Sequence, residues 1–194
     1  MEDAVRERQI LANRLAAAEA QEEIARHAAF HDPLTGLPNR ALFNDRLEHG
    51  LVQAERNGWT PTVMFVDLDD FKNFNDLHGH DAGDGVLQTI AGRLKENIRG
   101  GDTVSRYGSD EFLYLLMEVG DEQRIALIAR QIIKAIQAPC EVSVRGLVIS
   151  PIIHASIGLA IFPKDGTTAD TLFKSADAAM YRAKRSTSGY SFAH

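Results

Sequence analysis

The chain has 194 residues, 44% of them hydrophobic and 25% charged, which suits one ordinary globular domain with a real core and excludes a disordered chain. Its formal charge of −6 argues against a nonspecific hold on nucleic acid or anionic membrane, which needs clustered Lys and Arg, but leaves room for a small anionic ligand. The one cysteine, Cys140, excludes an intrachain disulfide, and no Cys/His spacing reads as a zinc site, so a reducing cytosolic setting is favoured.

Residues 1–29 lack Gly and Pro and are rich in Ala, Glu, Arg and Gln, which predicts one continuous helix. Ala4, Leu11, Ala18 and Ala25 recur every seven residues, and with Leu15 and Ile24 they outline either a coiled-coil seam or one side of a solvated helix. The Pro- and Gly-bearing stretch from Asp32 to Arg40 marks the start of a globular domain over 30–194, and a helix is expected over 40–56. Thr62 to Val66 reads as a buried strand delivering Asp67-Leu68-Asp69-Asp70 at its end, with Asp67 and Asp69 on one side if the strand continues. Helices over 71–77 and 85–98 are predicted to flank a polar, Gly-rich loop at 78–84.

A strand over 103–107 then leads to a turn at Gly108-Ser109, two acids, Asp110 and Glu111, and an apolar run from Phe112 to Met117. That order predicts a β-hairpin with acids at its tip, and Gly-Ser suits a type II′ turn with Gly108 at positive φ. Downstream, 121–137 carries Ile125, Leu127, Ile128, Ile132, Ile133 and Ile136 at helical spacing. Strands are read over 141–147 and 148–162, turning near Arg145-Gly146, and a last helix over 170–184 has Leu172, Phe173, Ala176, Met180 and Tyr181 on its apolar side. The 148–162 run contains Pro151 and His154 and is too short and broken to span a bilayer. With no signal peptide read, the domain is expected to be soluble and cytoplasmic, while the parent protein can be membrane-attached. Alternating helices and strands give an α/β class.

Asp67, Asp110 and Glu111 lie at two strand ends that one mixed sheet can bring together, a hard oxygen set suited to Mg²⁺ or Mn²⁺. The plainer readings are a solvated turn for the hairpin acids and helix N-capping for Asp69 or Asp70. Lys72 and Lys184 are either phosphate partners or solvated surface lysines.

Asp32 to Arg40, Phe65 to Asp76, Gly79 to Asp84, Arg106-Tyr-Gly-Ser-Asp-Glu-Phe112 and Ala176 to Lys184 resemble, in order, the motifs of GGDEF domains, the diguanylate cyclase family. The resemblance runs from about residue 30 to the C-terminus. It implies a five-stranded central sheet flanked by helices, like the palm of nucleotide cyclases and polymerases, preceded by an N-terminal signalling helix over 1–29. It implies condensation of two GTP into cyclic di-GMP and two pyrophosphates across a homodimer, with two Mg²⁺ or Mn²⁺ ions per site.

Carried over residue by residue, Asp67, the Leu68 carbonyl, Asp110 and Glu111 would hold metal, with Asp110 also the catalytic base. Asn75 and Asp84 would read guanine, whose N1–H and N2–H₂ donate to a carboxylate and whose O6 and N7 accept from an amide. Phe71, Lys72, Gly108, Ser109 and Lys184 would contact the nucleotide, the first two partly through free backbone N–H groups opening a helix. Arg99 and Asp102 match the family's RxxD product-inhibition motif. An upstream sensor, and a downstream EAL phosphodiesterase domain after Tyr190-Ser-Phe, are the partners the resemblance implies, with no nucleic acid.

Two positions depart from the family pattern. Ser109 stands where the motif has its second glycine, where a hydroxymethyl group either displaces the nucleotide, strains the turn or hydrogen-bonds the substrate. Ser188 stands where an arginine commonly meets the terminal phosphate, with Arg182 and Arg185 as nearby substitutes. The other reading of the chain is thus an impaired module that binds GTP or cyclic di-GMP and regulates a neighbouring domain.

Overall fold

The computed structural model describes residues 2–144, 146–186 and 188–194, the side chains of 2–5 and of residue 10 excepted. Arg145, read at a turn, and the Ala4 side chain of the heptad series lie outside the described residues. In chain order the elements are α1 (Glu2–Phe30), α2 (Arg40–Asn57), β1 (Thr62–Leu68), α3 (Phe71–His78), α4 (His80–Glu96), β2 (Thr103–Arg106) and β3 (Glu111–Leu116). There follow α5 (Glu122–Gln137), β4 (Val142–Val144), β5 (Leu147–Ile149), β6 (Ala155–Ile161), α6 (Ala169–Ala183) and β7 (Tyr190–Phe192).

Five strands form a mixed sheet in the order β2-β3-β1-β6-β7, with β1 central and antiparallel to both neighbours and β7 parallel to β6. Side chains alternate across a strand, so β1 feeds two cores. Met64, Val66 and Leu68 pack with Val86, Ile90 and Leu94 of α4 and Ile125, Ile132 and Ile136 of α5. Val63 and Phe65 face the other way, onto Phe43, Leu47 and Leu51 of α2 and Leu172, Ala176 and Met180 of α6. Asp67 continues that second series, so the strand delivers it toward the α6 side.

α2 is capped by the Asn39 side chain, which accepts from the Leu42 N–H, and α5 by Asp121, which accepts from the Arg124 N–H. α1 is a single helix, as its Gly- and Pro-free composition predicts, and its Leu11, Leu15 and Ile24 are exposed along its length.

The structure corrects several expectations. The predicted loop over 78–84 is mostly helix: α4 begins at His80, directly after a turn at Gly79 with φ +90°. The expected strand over 148–162 is two strands, because Pro151 lacks the N–H a ladder needs; β5 pairs with β4, and β6 enters the central sheet. Tyr190 to Phe192 adds an edge strand where none was expected. Leu127 and Tyr181 are 52% and 59% exposed rather than on the buried faces of α5 and α6. The hairpin tip is not a type II′ turn, since Gly108 and Ser109 both have negative φ. Instead Tyr107 and Gly108 both donate N–H bonds to the Glu111 carbonyl, and the tip is a longer, open loop.

Among the described residues no helix is long and apolar enough to cross a membrane.

Candidate functional site

The β1–β3 register sets Asp67 directly opposite Glu111, and the Leu68 N–H donates to the Asp110 carbonyl at 3.1 Å. Three acids from two distant stretches therefore meet at one end of the sheet. Lys184, the residue that ends α6, closes the group with its Nζ 2.7 Å from Asp67 Oδ1. Burial pushes the Asp67 carboxyl above its ordinary range; Lys184 opposes the shift, and the charges of Asp110 and Asp69 add to it. Glu111 is raised for the same first reason, helped by Asp67, Asp110 and Asp177, while Lys184 again opposes. Desolvation alone would lower Lys184, but its bond to Asp67 and the neighbouring Asp69 and Asp110 raise it.

This is a crowded, partly dry anionic site with one ammonium in it. A hard divalent cation fits such a donor set, because it would relieve the repulsion that raises both carboxyls. No three His, Cys, Asp or Glu side chains among the described residues already converge as a cation cage, and the Lys184 ammonium is the cation Asp67 meets here. Gly108 belongs to the same packing, since a Cβ there would lie 2.3 Å from Glu111 Oε2.

Ser109 is less disruptive to the backbone than the sequence allowed for: at negative φ it carries no left-handed strain. Its hydroxyl donates to Asp110 Oδ1 at 2.5 Å. The loop itself is held from behind by Arg106, whose Nη2 donates to the Ser109 carbonyl at 2.8 Å and whose Nη1 reaches Asp32 Oδ1 at 3.1 Å. Burial would raise Asp32, but hydrogen bonds from Thr35 and the Arg106 charge hold its carboxyl below the ordinary range. Asp32 and Arg106 belong to two separate sequence motifs, and the fold joins them in one ion pair.

The N-capping alternative for the β1 acids holds in position only, since Asp70 is the N-cap residue of α3. Asp69 Oδ1 accepts from Ser156 Oγ at 2.9 Å, and Asp70, at φ 54°, makes no side-chain cap bond to α3. Asp70 is the one non-glycine among the described residues with positive φ, a strained conformation of the kind that clusters at ligand sites. The first backbone bond of α3 runs from Phe74 N–H to the Asp70 carbonyl, so the N–H groups of Phe71 and Lys72 precede the helical ladder. Phe71 itself is buried, and Lys72 is exposed in that first turn.

Asn75 Oδ1 is buried without a hydrogen-bond partner among the described residues. It lies against Gly83, where a Cβ would come within 1.8 Å of it, and Asp84 is the next residue, exposed on α4. The α3–α4 pair thus brings the two proposed guanine readers to neighbouring positions, and Gly83 is a requirement the sequence reading did not identify. A cleft of about 590 Å³ is bounded by Asp69, Asp70, Phe74, His154 and Lys184.

The substitutes considered for the arginine missing at Ser188 are occupied elsewhere. Arg182 donates to the carbonyls of Phe192 and Ala193, Arg185 lies over the Tyr181 ring, and Ser188 Oγ donates to the Tyr190 carbonyl. Arg99 and Asp102 sit at the opposite end of the β2–β3 hairpin, bordering a separate hollow of about 420 Å³ with Trp59 and Met117. Asp102 Oδ1 already accepts the Met117 N–H at 3.1 Å, which fixes the carboxylate.

Residues 29–189 match the family model described as "Diguanylate cyclase, GGDEF domain". The chain is 45% identical over 165 residues to the bifunctional diguanylate cyclase/cyclic di-GMP phosphodiesterase MucR of Pseudomonas aeruginosa, covering 84% of this chain and 23% of MucR. It is 42% identical over 163 residues to the diguanylate cyclase TpbB of the same species, covering 84% of this chain and 37% of TpbB. It therefore spans well under half the length of these relatives. Among solved structures, the GGDEF domain of TpbB aligns with a TM-score of 0.78 at 41% identity, over 84% of this chain and 94% of that one. The coiled coil and GGDEF domain of DgcB from Caulobacter crescentus, in complex with c-di-GMP, aligns with a TM-score of 0.79 at 28% identity, over 94% and 98%.

Proposed function

The chain belongs to the diguanylate cyclase GGDEF domain family, and we propose from that premise that it condenses two GTP into cyclic di-GMP and two pyrophosphates, one GTP per subunit of a homodimer. The observation that carries this reading is the in-register pair of Asp67 and Glu111 beside Asp110 and Lys184. In the proposed reaction the 3′-oxygen of one GTP attacks the α-phosphorus of the other. The new P–O bond forms as the bond to the β-phosphate breaks, and pyrophosphate leaves with that electron pair. Asp110 accepts the hydroxyl proton, and two such transfers close the ring.

Asp67, the Leu68 carbonyl, Asp110 and Glu111 would hold Mg²⁺ or Mn²⁺, two ions per site. Such ions supply charge neutralisation at the phosphates. Lys184 and the α3 N–H groups at Phe71 and Lys72 bind phosphate oxygens. Gly108 and Ser109 form the floor beneath the nucleotide. Asn75 and Asp84 select guanine, and the packing of Asn75 against Gly83, the residue before Asp84, supports that joint role. Arg99 and Asp102 form the product-inhibition site, Arg99 by stacking and forking to the guanine or phosphate. Residues 1–29 act as the signalling helix ahead of a domain at 30–194, taking input from an upstream sensor. A downstream EAL domain in the parent protein is the natural neighbour for a chain 45% identical to part of MucR.

One observation favours the second reading, a GGDEF module that binds GTP or cyclic di-GMP and regulates a neighbour without turnover. The Ser109 hydroxyl engages the carboxylate assigned as base. The deciding experiment strips prebound cyclic di-GMP, incubates the dimeric protein with GTP and Mg²⁺ or Mn²⁺, and separates the nucleotides by chromatography. Cyclic di-GMP that disappears in Asp110→Ala supports the cyclase. A silent wild type beside an active Ser109→Gly supports the regulatory module and locates the lesion in the hydroxyl.

A further inference from the structure

His154 is a polar break in the apolar run over 148–162, and its side chain has no part in the acid cluster or the guanine-reading pair. Its backbone is tied to the site: the His154 carbonyl accepts the Asp69 N–H at 2.9 Å, and the next residue, Ala155, pairs with Leu68. The side chain is exposed and borders the cleft that Lys184, Asp69 and Asp70 also border. Gln137, the last residue of α5, places its Nε2 3.2 Å from His154 Nδ1. With the Gln137 amide nitrogen as the donor to Nδ1, a neutral imidazole carries its proton on Nε2. The second ring nitrogen is thereby set as a hydrogen-bond donor.

A donor at this place suits an anion. Among the described residues Lys184 is the only other basic side chain on the cleft wall, and Arg182 and Arg185 are held by the C-terminal strand and by Tyr181. Phe74 and Ile153 add apolar surface to the same cleft. Asp69 and Asp70 face the same cleft, and an anion can sit beside them only when cations accompany it. Those requirements describe the polyphosphate end of a nucleoside triphosphate entering with its divalent cation.

We propose that His154, with its tautomer set by Gln137, donates from Nε2 to the β- or γ-phosphate of the bound nucleotide. The proposal rests on the GTP reading of the site. It makes His154 a binding residue for the triphosphate tail, with no part in guanine recognition and no proton transfer.

The test is calorimetric titration with 3′-deoxyGTP and 3′-deoxyGMP in Mg²⁺, since neither has the hydroxyl needed to react. His154→Ala is expected to weaken 3′-deoxyGTP roughly tenfold, the size of a lost hydrogen bond to a charged group, and to leave 3′-deoxyGMP within about twofold. His154→Gln, which keeps an N–H donor on a similar reach, recovers part of the loss. Gln137→Leu, which releases Nδ1, gives an intermediate loss. In turnover the effect falls on KM for GTP and leaves kcat within about twofold. An unchanged 3′-deoxyGTP affinity in His154→Ala overturns the role of His154 alone, as does an equal loss for both nucleotides or a Gln variant no better than Ala. A wild-type protein that binds neither nucleotide overturns the GTP reading and this proposal with it.

Discussion

Gly158→Ala tests how α6 holds Lys184 over Asp67. Gly158 lies within β6, beneath α6, where a Cβ would stand 1.9 Å from the Ala176 carbonyl oxygen and 2.3 Å from the Met180 nitrogen. Both are backbone atoms of the helix, so no side-chain rotation relieves the clash. The shortest ordinary carbon–oxygen contacts are about 3.3 Å, so the helix must retreat by roughly 1.4 Å. Overpacking of this kind costs about 1–3 kcal/mol, and a backbone clash belongs at the upper end. At about 2–4 °C per kcal/mol for a domain of this size, the melting temperature should fall by about 6–12 °C. Lys184 ends α6, so the same retreat lengthens its 2.7 Å contact with Asp67. Misplacing a catalytic or phosphate-binding group by about 1 Å lowers turnover ~100-fold.

The assay pairs urea unfolding with cyclic di-GMP production. Gly92→Ala serves as control, because Gly92 is exposed on α4 with no atom near the added methyl, and it should stabilise slightly. A Gly158→Ala protein within about 1 kcal/mol of wild type and with undiminished turnover would refute the idea that this helix–strand contact positions Lys184.

Three further outcomes are expected. Gly83→Ala drives a methyl into Asn75 Oδ1 and should cut the preference for GTP over ATP at least ~10-fold with a stability loss of no more than about 1 kcal/mol, read by competition binding and urea midpoint. Glu111→Gln removes a charge that burial and its acidic neighbours disfavour. The variant should be more stable than wild type at pH 7, lose that advantage as acid protonates the wild-type carboxyl, and make no cyclic di-GMP. Asp32 has its folded pKa held below the unfolded value, so its contribution is present at neutral pH and is lost as pH falls through the folded pKa. Wild type and Asp32→Asn should therefore converge in urea midpoint as the pH falls below the ordinary carboxylate range, whereas a gap that stays constant on acidification contradicts the Arg106–Asp32 pairing as its source.

Much of the fold follows from local pattern. The boundaries of α2, α5 and α6 fall within a residue or two of the expected ones, because each combines helical spacing with an Asn, Asp or Thr cap. The misreadings come where a local signal meets a non-local one. Gly79 to Asp84 has turn composition, yet it is helix from His80, where Gly83 packs against the Asn75 side chain of the preceding helix. Tyr190 to Phe192 is too short for a period-2 signal and becomes a strand only by adding to the β6 edge.

For the site, the sequence alone determined which acids and amides stand at strand and helix ends, since alternation and capping are properties of neighbouring residues. It did not determine who meets whom. The facing of Asp67 and Glu111, the Lys184 ammonium on Asp67, the Arg106–Asp32 strut and the Gln137–His154 bond each join residues far apart in the chain. Such contacts depend on sheet register and on how closely a helix can approach a strand. A shift of one residue in β1 against β3 would turn every side chain to the opposite face, leaving the same motifs in place and the carboxylates apart. Ser109 shows the same division. Its identity was plain from the sequence, and only the folded loop showed that its backbone is unstrained while its hydroxyl lies on Asp110.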